Sequence, residues 1–126
     1  LRGRGLMFAG DTLVAGVHPY LAAAPDTKAW LKTLRTLRRK RFSKITIVPG
    51  RGSLCDQSAT RSLSEYIVLA RRRVRSLHIA GLARVDTATL VAELLPLFPV
   101  PDVERELIQR RIKAGLDRLY EELRPA

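Results

Sequence analysis

The expected fold depends on two short motifs, Phe8-Ala9-Gly10-Asp11-Thr12-Leu13 and Val48-Pro49-Gly50-Arg51-Gly52. Each follows a short apolar run, and the run before the second motif is rich in β-branched residues, which favour strands. Glycine and proline then mark a sharp change of direction. The pattern predicts three short strands, at residues 6–9, 12–15 and 45–48, with a break at Gly10-Asp11.

The rest of the sequence predicts four helices, because apolar side chains recur at helical spacing. The first begins after Asp26 or Thr27 and ends near Arg41, with one apolar and one basic face. The second begins near Ser58 or Thr60 and stops at Gly81. The last two are expected to start at Asp86 and after Asp102, and three prolines separate them.

Composition indicates one globular domain of 126 residues, with 46% hydrophobic and 28% charged residues. No apolar run is long enough to span a bilayer. The one cysteine, Cys55, cannot form an intramolecular disulfide or a cysteine zinc cage. We expect a partly buried thiol, and the alternative is a catalytic thiol. A single cysteine suits a reducing compartment such as the cytoplasm without requiring one.

Taken together, the two motifs resemble the phenylalanine-threonine-glycine-aspartate and proline-glycine-histidine-glycine elements of metallo-β-lactamase-fold hydrolases. Three further segments resemble helices of that family: Ala29-Trp30-Leu31-Lys32-Thr33-Leu34, Ser64-Glu65-Tyr66-Ile67 and Leu119-Tyr120-Glu121-Glu122-Leu123. The resemblance is best over residues 5–69, with 86–123 as appended helices. It implies that residues 1–126 form an α/β domain, the C-terminal half of an αβ/βα sandwich, with about three short strands and four helices.

The resemblance implies that Asp11 is a metal ligand, since the family's aspartate at this position binds and often bridges metal ions. The alternative is an aspartate that forms a turn or caps a helix. Arg51 stands where the family has a histidine ligand, and a guanidinium has no free lone pair for a metal. The family's His-x-His-x-Asp-His element is absent. Zinc or another divalent metal is therefore expected only if a longer chain completes the site, and otherwise none. We assign no catalytic residue, and we hypothesise that Arg51 neutralises Asp11 in place of a metal.

The chain has two histidines, His18 and His78. His18 lies in Gly16-Val17-His18-Pro19-Tyr20, a loop that the family often places near the substrate cleft, which makes it a substrate-loop candidate. The alternative for His18 is a residue with no role in a site. For His78, near a helix end, we expect a solvated or partly packed side chain.

These observations predict the C-terminal portion of a metal-dependent hydrolase, degenerate or incomplete, and inactive as this chain alone. Half a sandwich would expose apolar strand residues, so a missing N-terminal half or a second copy is expected as partner. One alternative is a basic module that binds nucleic acid or protein, given a net charge of +11. Nucleic acid is not favoured, because the basic runs lack interleaved aromatics. Another alternative is a pseudo-enzyme that keeps the fold, binds no metal and binds a partner.

Overall fold

A computed structural model describes residues 6–14, 16–23, 26–39, 46–51 and 58–125, with side chains described in 16–23, 26–39 and 58–125. Two strands, β1 (Leu6–Val14) and β2 (Thr46–Arg51), precede most of the helical part. The α-helices are α1 (Thr27–Leu37), α2 (Ser58–Ile79), α3 (Ala88–Leu94) and α4 (Arg105–Glu122). Short 3-10 turns lie at Leu21–Ala23, Arg84–Thr87, Leu95–Leu97 and Asp102–Glu104.

The predicted α/β half-sandwich with about three short strands is wrong. Helices account for 79% of the residues whose side chains are described, and none of those residues lies in a strand. The four predicted helices are all present. The expected break at Gly10-Asp11 does not occur, because residues 6–9 and 12–14 belong to one strand, β1. A strand can contain glycine where its pairing is irregular, and β1 has such irregularities around Gly10.

The two strands pair in parallel, and α1 connects them. Leu6 lies opposite Thr46 and Phe8 opposite Val48, after which the register shifts. Both α1 and α2 contact β1. Parallel neighbours need a crossover connection, and here that connection is the amphipathic helix α1.

The core is centred on α2, whose apolar positions recur at the predicted helical spacing. Buried side chains along this helix pack against α3 and α4, and the main contributors are Leu63, Ile67, Ala70, Val74, Leu94, Leu116 and Leu119. Burying one leucine fully stabilises the fold by about 2 kcal/mol. None of the helices in the described part of the chain has the length and apolar character needed to cross a bilayer.

Helix ends follow the local sequence signals. Asp26 caps α1, because its carboxylate accepts a hydrogen bond from the Ala29 amide at 3.0 Å. Gly81, with φ of +74°, follows α2, and the Leu82 amide donates to the Leu77 carbonyl at 2.9 Å. Asp86 accepts from the Ala83 amide at 2.8 Å, so it closes the 3-10 turn before α3 rather than α3 itself.

Gly115 permits the closest approach between α4 and the 3-10 turn Leu21–Ala23. A Cβ at this position would lie 2.9 Å from Leu21 Cβ and 3.4 Å from the Ala22 amide nitrogen. These neighbours belong to or adjoin the backbone, so they cannot move aside as the tip of a long side chain would. Gly115 therefore fixes how α4 packs on this turn.

We expect Gly115→Ala to destabilise the protein by about 1–3 kcal/mol, because the added methyl overpacks this contact. Helix propensity alone predicts the opposite effect, because alanine stabilises a helix by about 1 kcal/mol relative to glycine. The measurement is the free energy of unfolding from urea titration. A stabilised variant would show that α4 and the turn are not in close contact.

Candidate functional site

The two motifs lie side by side on the paired strands. Gly10 is opposite Pro49, and Val14 is opposite Arg51, the last residue of β2. In parallel strands the carboxyl ends lie at one edge, where α/β proteins commonly bind ligands. Asp11 follows Gly10 and Arg51 ends β2, so both belong to the same end of the strand pair, although Arg51 lies opposite Val14 and not opposite Asp11. Whether their side chains form an ion pair stays a prediction.

The pairing is irregular at this point. Between the pair Gly10–Pro49 and the pair Val14–Arg51, β1 has three residues, 11–13, whereas β2 has only Gly50. Extra residues interrupt the hydrogen-bond ladder and bend a strand, and such bulges are common beside functional sites. Asp11 thus lies in a stretch that departs from regular pairing.

The donor set of this site does not fit a catalytic metal. Asp11 can supply carboxylate oxygens, but Arg51 can supply only positively charged N–H groups. A catalytic zinc usually has three protein ligands. No cluster of three histidine, cysteine, aspartate or glutamate side chains occurs in residues 16–23, 26–39 and 58–125. Cys55 lies outside the described residues.

His18 is turned into the protein interior, and the residue is only 6% exposed. Its Nε2 lies 2.9 Å from the Leu95 carbonyl oxygen, and its Nδ1 lies 3.1 Å from the Tyr66 hydroxyl. Because a carbonyl only accepts, Nε2 carries the hydrogen, and Nδ1 accepts from Tyr66. The rings of Tyr66 and Phe98 meet the imidazole edge-on. These contacts attach the loop to α2 and to the end of α3. Its role as a substrate-loop residue stays a prediction.

Burial determines the protonation of this pair. It lowers the pKa of His18 below its ordinary value, although backbone hydrogen bonds act in the opposite direction. Burial also raises the pKa of Tyr66. Burial therefore favours the neutral form of both side chains near pH 7, which is the form in which Tyr66 donates to His18 Nδ1.

Three helices meet at a polar network that sequence reasoning missed. The Glu122 carboxylate accepts hydrogen bonds from the Thr27 amide at 3.1 Å and from Arg71 at 3.0 Å. Arg71 also donates to the Thr27 hydroxyl at 2.6 Å. The side chains of Arg71 and Glu122 are only 13% and 14% exposed. No local pattern indicates this network, because Arg71 belongs to a basic run and Glu122 lies 51 positions further along the chain.

His78 is partly packed, as the sequence suggested. Its ring stacks on Tyr120 with centroids 3.9 Å apart, and its Nε2 lies 2.8 Å from the Tyr120 carbonyl oxygen. The Tyr120 hydroxyl donates to the Leu82 carbonyl at 2.7 Å. These contacts hold the end of α4 against the end of α2.

Comparison of the chain with protein-family models, curated proteins and solved structures gave no match. The resemblance to metallo-β-lactamase-fold hydrolases therefore rests on the sequence motifs alone and stays a prediction.

We expect the stability of the protein to fall as the pH drops below about 6.5, the ordinary pKa of histidine. The folded state holds His18 with a lowered pKa, so the unfolded state binds the extra proton first. The free energy of unfolding should therefore decrease by up to about 1.4 kcal/mol per pH unit from this residue. Urea titrations between pH 5 and 7.5 measure it, and His18→Gln should flatten the dependence. If the free energy of unfolding changes equally with pH in the wild type and in His18→Gln, this assignment is wrong.

Proposed function

We propose that this chain is a metal-free relative of metallo-β-lactamase-type hydrolases and that it acts by binding rather than by hydrolysis. The resemblance behind the proposal lies in two sequence motifs, Gly10-Asp11 and Pro49-Gly50-Arg51-Gly52. The observation that supports the proposal is the register that puts Gly10 opposite Pro49. Two motifs that are distant in sequence thereby share one edge of the strand pair.

The substitution of one side chain explains why the site would hold no metal. A histidine at position 51 would offer a neutral lone pair, whereas Arg51 offers a permanent positive charge. That charge would repel a divalent cation and balance the Asp11 carboxylate directly. No hydrolytic step is assigned to the site, because one carboxylate supplies too few ligands to hold and activate a metal-bound water.

We expect the wild-type chain, purified without chelator, to contain only substoichiometric metal by elemental analysis. Arg51→His would place an imidazole beside Asp11, and zinc affinity should then rise by about tenfold or more, equivalent to about 1.4 kcal/mol. The Asp11→Ala, Arg51→His double variant should lose this gain, since it needs both ligands. Zinc titrations followed by calorimetry measure all three proteins.

Arg75→His is the matched control, because it makes the same replacement at an exposed position of α2. It should bind no more zinc than wild type. Near-stoichiometric metal in the wild type that disappears in Asp11→Ala would contradict the proposal. So would an Arg51→His variant that gains no more zinc than the control, since the two motif positions would then not face each other.

A further inference from the structure

Helices α1 and α2 pack side by side in opposite directions. At one end, the Arg71 guanidinium donates to the Thr27 hydroxyl at 2.6 Å. At the other end, the Arg38 guanidinium donates to the Ser64 hydroxyl at 2.6 Å. The start of α1 therefore lies beside the middle of α2, and the end of α1 lies beside the first turns of α2. The pair is antiparallel.

Each helix contacts the other through residues that lie in a line along one side, which we call its contact stripe. On α1 the stripe includes Thr27 and Leu34 and continues to Arg38, just beyond the helix. On α2 it runs through Thr60, Ser64, Ile67 and Arg71, most of them buried. These positions recur at intervals of four, three and four residues, or multiples of them, so they lie along one side of each helix.

On both helices, exposed cations occupy positions that directly follow the contact positions in sequence. On α1 these are Lys28, Lys32 and Arg35, followed by Arg39. On α2 they are Arg61 and Arg72. Successive residues of an α-helix are rotated by about 100° around its axis. Viewed along one direction, two antiparallel helices rotate in opposite senses, so the positions that follow the contact stripe lie on the same side of the pair. Cations from both helices therefore share one surface, which we call the α1/α2 basic face: Lys28, Lys32, Arg35, Arg39, Arg61 and Arg72.

Five cations of this face have no acidic partner within the described part of the chain. No ion pair joins Lys28, Lys32, Arg35, Arg61 or Arg72 to another described side chain, whereas their neighbours Arg71 and Arg73 pair with Glu122 and Glu93. Helix α1 contains no acidic residue. The acids beside the face are Glu65 on α2 and Asp26, which is engaged in capping α1.

The side chains of the α1/α2 basic face indicate which class of partner it can bind. On the side of α2 that carries Arg61 and Arg72, the exposed large apolar side chains are Val68, at 47%, and Ile79, at 83%. Ile79 lies two turns beyond Arg72, past the start of α1, so the cations surround only one apolar side chain, too little for insertion into a lipid surface. Among the described residues, no aromatic side chain is exposed on this face for base stacking, since Trp30 is half-buried. Two rows of fixed cations suit a dense line of phosphates, and duplex nucleic acid offers about one charge per 1.7 Å of its axis. We propose that the α1/α2 basic face binds the phosphate backbone of duplex nucleic acid without reading its bases.

The test measures binding of a fluorescently labelled DNA duplex by anisotropy at several salt concentrations. With about five phosphate contacts, log K should fall with log salt with a slope of about −4.5. Lys32→Glu and Arg72→Glu should each weaken binding by about tenfold, and replacing either residue with alanine should reduce the slope by about one. Arg110→Glu is the matched control, because Arg110 is an exposed cation on α4, which packs on the core side of α2. Glu65→Gln should tighten binding, a result that misfolding cannot produce.

Three results would overturn the proposal. The first is equal weakening by Arg110→Glu, which would mean that net charge alone drives binding. The second is binding that depends strongly on duplex sequence, which would mean that the face reads base edges or sequence-dependent duplex shape. The third is tighter binding to phosphatidylserine vesicles than to the duplex, with the same sensitivity to Lys32→Glu, which would make a lipid surface the partner. The metal measurements at Asp11 and Arg51 involve none of these residues, so either proposal can fail alone.

Discussion

The Glu122 carboxylate joins the three helices on which the rest of the structure depends. It lies at the start of α1, where the exposed amides and the helix dipole favour a negative charge, and it accepts from the Thr27 amide. Arg71 of α2 supplies the opposite charge at 3.0 Å. Because both side chains are largely buried, leaving either without its partner would cost on the order of 3 kcal/mol. The network thus fixes α1 against α2 and α4.

The position of α1 matters for both proposed properties of the chain. As the crossover between β1 and β2, it allows the parallel register in which Gly10 lies opposite Pro49. As the partner of α2, it turns its cationic side to the same surface as Arg61 and Arg72. The proposed metal-free site at Asp11 and Arg51 and the proposed phosphate-binding face on α1 and α2 use different residues, so the two proposals are compatible.

Local sequence patterns predicted the helices well and the strands poorly. Apolar spacing on α2 and the signals at Asp26 and Gly81 depend only on near neighbours, so they could be read directly. The continuous strand through Gly10-Asp11 could not, because pairing with β2 overrides the local break. The same limit applies to the sites. The sequence identified both motifs, but the inward turn of His18 depends on Tyr66, 48 positions away, and the pairing of Arg71 depends on Glu122.

The central claim is that Arg51 takes over the charge-balancing role of a metal beside Asp11. A double-mutant cycle of Asp11→Ala and Arg51→Ala, scored by the free energy of unfolding at low salt, tests it most directly. The account predicts a favourable coupling of about 0.5 kcal/mol or more between the two residues, which weakens as salt screens the charges. Strictly additive effects of the two substitutions, with no salt dependence, would contradict it.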